Sequence, residues 1–284
     1  MQQQSSCSLL ICGATFAGIG AAIAASQQKR DVVIVERTSL VGHEFIETFN
    51  PGSHWSVPST ELGRSLQSDL IRRNVMEQEG GAAHLAALHP ILCQLIKQHG
   101  LQVKFLTEIV SVSEQNGRFA VELHDAAGRS RITADEVLDT SSQRLTTPGK
   151  LVVPERKQLN AYLNHPDLLN AEPPAAIDDT MSVARGRFRT EVVLKVNVKP
   201  EEDIPQARHR MVGYWQNRPE AWRPWTIAAT ATVFQYSFAA VSSQLADRWS
   251  WHPSEARLNA LAAFDQGYHL IEKAVSLQNA AKSN

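Results

Sequence analysis

The chain has 284 residues, enough for about two domains of ordinary size. With 43% apolar and 20% charged residues it has the composition of a globular protein, which excludes a disordered, collagen-like or coiled-coil chain. The 28 Lys and Arg residues nearly balance the 29 Asp and Glu residues, so no basic surplus favours a nucleic acid or an anionic membrane as a partner. Three cysteines without a CxxC or Cys/His cluster predict a cytoplasmic protein with neither a disulfide framework nor a metal site.

The apolar run at residues 9–25 resembles a signal peptide or a membrane helix only superficially. The segment before it, MQQQSSCS, has no Lys or Arg, and the run contains early glycines and stops at Ser26. The pattern instead predicts a buried strand at 8–12, a glycine turn at 13–18, a helix at 18–28 and a second strand at 31–36. This is a β-α-β unit, whose parallel strands are apolar throughout because helices cover both faces of the sheet.

The remaining elements predict an α/β chain with a Rossmann-like domain and a smaller α+β region. The Rossmann-like domain, with a parallel sheet and a β-meander insertion, is predicted at 1–148 and 246–284, and the substrate or cap region at 149–245. In the first domain we predict helices at 59–75, 88–99 and 254–278, and strands at 103–106, 109–113, 118–123, 129–133 and 136–139. In the second region we predict a helix near 154–164 and strands at 188–198 and 225–236.

The strongest chemical signal is the glycine turn between the first strand and the first helix. The turn consists of Gly13, Ala14, Thr15, Phe16, Ala17 and Gly18. Its first glycine permits a tight turn, its last permits close packing of the helix on the sheet, and the helix N-terminus directs N–H groups at a diphosphate. Glu36 follows Gly13 by 23 positions, near the offset of a carboxylate that binds a ribose diol. The arrangement predicts a dinucleotide site.

One position of this turn departs from the usual GxGxxG pattern. Thr15 stands at the middle glycine, where the backbone normally approaches the phosphates. A β-branched side chain there either clashes with a phosphate or donates its hydroxyl to one. A Rossmann unit that keeps its packing but no longer binds a nucleotide therefore remains an alternative.

The segments LLICGATFAGIGAAIAA and DVVIVERTSLVGHEF resemble the N-terminus of FAD-dependent oxidoreductases of the glutathione-reductase-like superfamily. The family pattern places an arginine after the acidic residue and a Gly-Gly pair shortly afterwards; Arg37, Gly42 and His43 occupy those places. In the family a later segment contacts the adenine, here Ile109 and Val110, and a strand ends in D-A-T-G, here Asp139-Thr140-Ser141-Ser142. The resemblance implies FAD as cofactor, bound by the glycine turn and by Glu36, Arg37, Gly42, His43, Val110 and Ser141.

The C-terminal part matches the family only in layout. The family has a Gly-Asp motif before its last helix, and the sequence has no Gly-Asp at that point, where His252-Pro253-Ser254 precedes the predicted helix. Together with Thr15 and Ser142, this departure implies an FAD site that is altered, weakened or completed by another chain.

Three functional hypotheses follow. The first is an FAD-dependent oxidoreductase acting on an unidentified small molecule, with His43 and His54 as candidate acid–base residues on loops after the second strand. The second is a degenerate or accessory subunit that needs a partner chain, and the third is an NAD-binding module. A homo-oligomer or a partner subunit is compatible with each, whereas no nucleic acid or membrane is expected as a partner.

Overall fold

The computed structural model describes residues 5–77, 81–150, 152–174, 180–238 and 242–282, with residues 273–282 as backbone alone. It contains two sheets. The first has eight strands and holds the N-terminal β-α-β unit, and the second has five strands and comes from the middle of the chain.

A parallel core forms the centre of the first sheet. Strands β1 (Ser5–Cys12), β2 (Val32–Val35) and β3 (Gln102–Lys104) lie side by side, and β6 (Gly128–Asp139) pairs with the other edge of β1. Strand β13 (Trp249–Trp251) continues the sheet parallel to β6, and β12 (Ser243–Ala246) pairs antiparallel with β13. The strand order 3-2-1-6-13 is that of a Rossmann-like sheet, which confirms the predicted fold class.

The predicted β-meander is present, with one difference. Strands β4 (Glu108–Gln115) and β5 (Arg118–Asp125) pair antiparallel, and β5 pairs in turn with β6. The separate strands predicted at 129–133 and 136–139 form the single strand β6. This is because residues 128–134 complete the meander while residues 132–139 pair with β1, so one long strand serves both.

Two helices that are distant in sequence pack closely on this sheet. Helix α1 (Phe16–Gln27) is buried on all sides from Phe16 to Ala25, because the sheet covers one face and α6 (Ala260–Lys282) covers another. A Cβ at Gly20 would lie 2.1 Å from the Phe264 carbonyl oxygen, and a Cβ at Gly267 would lie 1.9 Å from the Ala17 carbonyl oxygen. Glycine is therefore required at this crossing. Helices α2 (His43–Ile46), α3 (Glu61–Arg72) and α4 (Leu88–Gln98) complete this layer.

The second sheet is antiparallel and has its own apolar core. Its order is β10 (Thr226–Thr230), β7 (Arg156–Asn164), β9 (Val192–Asn197) and β8 (Met181–Arg185), and β11 (Gln235–Ser237) also pairs with β7. Helix α5 (Ile204–Gln216) packs on one face together with buried Trp215, Trp222 and Trp225.

Several predictions for this middle part were wrong. The helix predicted near 154–164 is strand β7, because Leu159, Ala161 and Leu163 alternate into the second core. The strand predicted at 188–198 begins only at Val192, and that at 225–236 is two short strands, β10 and β11. Helix α5 was not predicted. At the C-terminus, the predicted helix at 254–278 is a short 3-10 turn at Ser254–Ala256 followed by α6.

None of the helices in the described part of the chain has both the length and the apolar character needed to cross a membrane.

Candidate functional site

Four parallel strands end at one edge of the first sheet and place the candidate site there. Strand β1 leads into the glycine turn, β2 into Glu36, β6 into Thr140, and β13 into the 3-10 turn at Ser254–Ala256. The strand order reverses between β1 and β6, and open α/β sheets bind ligands in the crevice at such a point. The fold therefore brings together the residues that the sequence singled out from separate segments.

A cleft runs along this edge in two contiguous parts. The first part has a volume of about 610 Å³, and its walls include Gly13, Glu36, Thr107 and Ile109. The second part has a volume of about 390 Å³ and extends towards the second sheet. Both parts are lined by Arg37, His43, Ser141, Ser142, Gln143, Leu145, Lys157 and Tyr236.

Glu36, the predicted ribose-binding residue, lines the first part of the cleft. Its side chain is 1% exposed, with Oε2 accepting the Ala14 N–H at 2.8 Å and Oε1 accepting the Thr38 N–H at 2.7 Å. These bonds fix the carboxylate at the end of β2, where it lines the cleft. A carboxylate oxygen accepts more than one hydrogen bond, so Glu36 retains capacity for a hydroxyl in the cleft.

Thr15 caps helix α1. Its Oγ1 accepts the Gly18 N–H at 2.9 Å and lies 2.7 Å from Thr140 Oγ1. Since Thr140 Oγ1 also contacts the Cys12 carbonyl oxygen, which only accepts, the Thr140 hydroxyl donates to that carbonyl and the Thr15 hydroxyl donates to Thr140. The Thr15 side chain is fully buried, and both of its hydrogen bonds are to other residues of the chain.

The first three N–H groups of α1 all have partners within the chain. The Phe16 N–H donates to Glu44 Oε1 at 2.8 Å, the Ala17 N–H to Ser254 Oγ at 3.3 Å, and the Gly18 N–H to Thr15. These are the donors that a diphosphate would use at this helix N-terminus. Of the predicted turn residues, Gly13 lines the cleft, and the four from Ala14 to Ala17 are at most 3% exposed.

Glu44 is the central side chain of this arrangement. It is 1% exposed, the Ser254 hydroxyl donates to its Oε1 at 2.7 Å, and its Oε2 is buried without a hydrogen-bond partner. Burial raises the pKa of the Glu44 carboxyl, although His43, Ser254 and the Phe16 N–H each oppose that rise. Helix α2, which carries Glu44, begins after Gly42, whose φ of +73° fits glycine and whose N–H donates to the Ala14 carbonyl.

An acidic residue lies where the family's Gly-Asp motif was judged to be missing. Glu255 follows β13 and is buried; its Oε2 accepts from the Ser142 hydroxyl, and its Oε1 accepts the Tyr236 N–H at 3.3 Å. Burial raises the pKa of the Glu255 carboxyl well above its usual range, and nearby Glu44 raises it further. Sequence reasoning missed this acid because the search was for Gly-Asp. The signal was Ser254-Glu255 directly after an apolar strand.

Ser141 lines the cleft with its position set by Asp139. The buried Asp139 carboxylate accepts from the N–H and hydroxyl of Ser141 and from the N–H and hydroxyl of Thr146. Burial raises the pKa of Asp139, and these four hydrogen bonds oppose that rise. Asp139 therefore organises the loop after β6 and does not itself line the cleft.

The other predicted residues differ in how close they lie to the cleft. Arg37 and His43 line both parts of it, and the His43 Nδ1 atom lies 3.7 Å from Glu36 Oε2. Ile109 lines the first part, whereas neighbouring Val110 lies at an irregularity between β4 and β5. His54 is exposed on a separate loop, with its Nδ1 atom 3.1 Å from Ser53 Oγ, and the structure does not bring it to the cleft.

A polar cluster on the second sheet was not anticipated from the sequence. Lys195 Nζ donates to Asn50 Oδ1 at 2.8 Å, and the Asn160 amide donates to the Thr48 carbonyl and to Gln235 Oε1. Burial and, to a smaller extent, the charge of Arg156 together lower the pKa of Lys195 to about 8. These contacts join β7 and β9 to the loop after α2, which carries Thr48 and Asn50.

Among the described residues, no group of three or more His, Cys, Asp or Glu side chains is arranged to hold a metal ion.

Comparison with known proteins bears on the first half of the chain. Residues 8–143 match the family model of FAD dependent oxidoreductase. This half of the chain is similar to FAD-dependent oxidoreductases. The match ends after the loop that follows β6, close to where the resemblance was expected to end, and it supports the predicted cofactor, FAD. Among curated proteins, none gives a significant sequence match.

Solved structures match the fold over nearly the whole chain. p-Nitrophenol 4-monooxygenase PnpA from Pseudomonas putida DLL-E4 matches with a TM-score of 0.65 and 11% identity, over 97% of this chain and 80% of that one. L-proline dehydrogenase from P. horikoshii matches with a TM-score of 0.66 and 11% identity, over 96% of this chain and 95% of that one. Aklavinone-11 hydroxylase, in a ternary complex with FAD and aklavinone, matches with a TM-score of 0.65 and 14% identity, over 98% of this chain and 64% of that one. This chain thus spans less than two thirds of that hydroxylase.

The residues present fit one half of an FAD molecule and not its centre. The first part of the cleft, with Glu36 and Ile109, has the volume and the carboxylate that an adenosine moiety requires. The N–H donors that would hold the diphosphate are bound to Glu44, Ser254 and Thr15. The fold is similar to that of the solved oxidoreductases, and the N–H groups at the start of α1 are hydrogen-bonded within the chain.

Proposed function

We propose that the chain is an FAD-dependent oxidoreductase that acts on a small molecule. The observation that carries this proposal is the continuous cleft along the carboxyl ends of the parallel strands, from Glu36 at one end to Phe234 and Ile204 at the other. A dinucleotide binds along the carboxyl ends of parallel strands, at the position that this cleft has. The family match over residues 8–143 supports FAD as the dinucleotide.

The two ends of the cleft have different chemistry, which suits the two ends of FAD. Glu36 and Ile109 provide a carboxylate and an apolar wall for a ribose and an adenine. The second part of the cleft is lined by Val233, Phe234 and Ile204 of the middle region, and also by Thr48. We therefore propose residues 149–245 as the cap that covers the flavin end and selects the substrate, and the flanking segments as the dinucleotide-binding domain.

FAD supplies hydride or electron transfer in the proteins that bind it, while the protein supplies binding and orientation. In this chain Glu36 would orient the ribose, and the second sheet would exclude water from the far end of the cleft. His43 lines both parts of the cleft and remains a candidate acid–base residue.

Titration of the purified chain with FAD, NAD and NADP tests this proposal. We expect FAD to raise the thermal unfolding midpoint and to show a flavin absorption band that stays with the protein after gel filtration, and NAD and NADP to do neither. Glu36→Gln should weaken FAD binding about tenfold, because the amide replaces a charge-assisted acceptor of the ribose. Glu108→Gln, which changes another acid at the same end of the cleft, is the matched control. If the chain unfolds cooperatively but does not bind FAD, the proposal is overturned.

A second candidate function is favoured by the hydrogen bonds that the N–H groups at the start of α1 make within the chain. An accessory subunit of this fold would keep its packing and pair with a partner chain, without binding FAD alone. Purification from its natural source distinguishes the two: flavin found only in a complex with a second protein supports the subunit, and flavin retained by the isolated chain supports the enzyme.

A further inference from the structure

The N–H groups at the N-terminus of α1 are bonded to side chains from three segments of the chain. Glu44 comes from α2, Ser254 from the turn after β13, and Thr15 from the glycine turn that leads into α1. Ser254 links two of these contacts, because its hydroxyl accepts from the Ala17 N–H and donates to Glu44 Oε1. Each donor of the first helical turn therefore has an acceptor from the chain.

The acceptor at Phe16 has the same chemistry as the ligand this helix end would receive. A carboxylate and a phosphate are both oxygen anions that a helix N-terminus stabilises. Glu44 Oε1 takes the backbone N–H and the Ser254 hydroxyl, while Glu44 Oε2 is buried with no hydrogen-bond partner. A buried carboxylate with one unsatisfied oxygen is costly. Glu44 is therefore held through one oxygen only, and its second oxygen lacks the hydrogen bonds that it would make in water.

Two departures from the family pattern have hydrogen-bond partners within the chain. Thr15, at the middle glycine, bonds Thr140, and Ser142, at the final glycine of D-A-T-G, bonds Glu255. Glu255 follows Ser254, which bonds Glu44. Both altered positions are therefore hydrogen-bonded to other side chains of the chain, and Ser142 is bonded to the residue that follows Ser254.

We infer that Glu44 occupies the diphosphate position of the cleft and holds it closed, so that FAD binds only when the Glu44 side chain withdraws. This inference rests on the proposed function, in which FAD uses this cleft. It follows that an adenosine can bind beside Glu36 without moving Glu44, whereas ADP and FAD must displace it.

Binding of adenosine, ADP and FAD to the full chain, measured by calorimetry, tests the inference. Glu44→Ser removes the carboxylate and frees the Phe16 N–H. We expect its affinity for ADP and FAD to rise at least about tenfold and its affinity for adenosine to stay within about twofold of the unmodified chain. Glu44→Gln is the matched control. Its side chain has the same size, and its amide oxygen can still accept from the Phe16 N–H and the Ser254 hydroxyl. We therefore expect its affinities for the three ligands to stay close to those of the unmodified chain.

The outcomes separate the inference from the proposed function. Equal ADP affinity in the unmodified chain and Glu44→Ser overturns the inference and leaves FAD binding standing. An equal gain in ADP affinity for Glu44→Gln also overturns the inference, because the charge of Glu44, and not the space that its side chain occupies, would then set the affinity. If none of the three ligands binds to either cooperatively folded protein, the proposed function fails and the inference fails with it. Should Glu44→Ser not fold, Glu44→Asp, with a shorter carboxylate, is expected to give a smaller gain in ADP affinity, and no gain there overturns the inference.

Discussion

Two buried glutamates near the glycine turn differ in how completely they are satisfied. Both oxygens of Glu36 accept backbone N–H groups, and the side chain still lines the cleft. Glu44 uses only one oxygen. Since an unsatisfied buried carboxylate is costly, Glu36 is suited to remain in place when a ligand binds, and Glu44 is suited to leave.

Glu255 gives a pH dependence that can be measured by substitution. Because burial raises its pKa in the folded chain, the folded state keeps a proton that the unfolded state loses above the ordinary pKa of a glutamate, and stability falls as pH rises through that interval. We expect Glu255→Gln to reduce the loss of unfolding free energy between pH 5 and pH 8 by about 1 kcal/mol or more, measured by urea denaturation.

The exposed strand residue Glu114 provides the control for this experiment. Glu114→Gln should follow the unmodified chain at both pH values. A Glu255→Gln variant whose stability falls with pH as steeply as that of the unmodified chain would contradict the assignment of Glu255 as a buried, proton-retaining carboxyl.

At the scale of elements, the crossing of α1 and α6 joins the two ends of the chain and supports the site. Gly267 lies against the Ala17 carbonyl, in the first turn of the helix that faces the cleft. We expect Gly267→Ala to destabilise the fold by about 3 kcal/mol or more, because the added methyl group meets backbone that cannot move aside. Chemical denaturation measures the loss.

Gly213 in α5 is the matched control, since a Cβ there meets nothing within 4 Å. Gly213→Ala should stabilise the chain by about 0.5–1 kcal/mol, the usual gain for replacing glycine inside a helix. Equal effects of the two substitutions would contradict the close crossing of α1 and α6.

The error at β7 shows how tertiary packing decides an ambiguous segment. Residues 154–164 contain Glu155, Arg156, Lys157 and Gln158, which all favour helices. The apolar residues that follow recur every second position, and they fill the second core only if the segment is a strand between β9 and β10. The helix preference was visible in the sequence, whereas the neighbouring strands that override it were not.

At the scale of the whole molecule, the second sheet is joined to the Rossmann-like part through Lys195 and Asn50. The pKa of Lys195 is lowered by burial to about 8, so the folded chain loses that proton at a lower pH than the unfolded chain does. Between about pH 8 and the ordinary pKa of lysine, near 10.4, the unfolded state binds more protons, and this group makes stability rise with pH. Below pH 8 its buried charge opposes folding.

Lys195→Met removes this contribution. We expect the unfolding free energy of the variant, relative to the unmodified chain, to fall by about 1–2 kcal/mol between pH 7.5 and pH 10. Lys104→Met, on the exposed part of β3, should show no such change. Urea denaturation at the two pH values provides the comparison, and a constant difference for Lys195→Met would contradict the burial of a titrating lysine.

The sequence predicted the parts of the site that are local. Gly13, the strand before it and Glu36 lie within one β-α-β unit, whose pattern is readable over about 30 residues. Glu44, Ser254 and Glu255 could not be assigned in the same way, because their roles arise from contacts such as Ser254 to Glu44 that cross 210 positions of the chain. Thr15 and Ser142 led us to predict an altered FAD site from the sequence, whereas no local pattern pointed to Glu44, which we infer to occupy it.

A crystal structure of the chain grown with FAD tests the central claim most directly. The account predicts the adenosine moiety beside Glu36 and Ile109, the diphosphate at the N–H groups of Phe16 and Ala17, and the Glu44 carboxyl withdrawn from hydrogen-bond distance of Phe16. A structure with FAD bound in the cleft while Glu44 still accepts the Phe16 N–H, or crystals that exclude FAD from the cleft altogether, would contradict it.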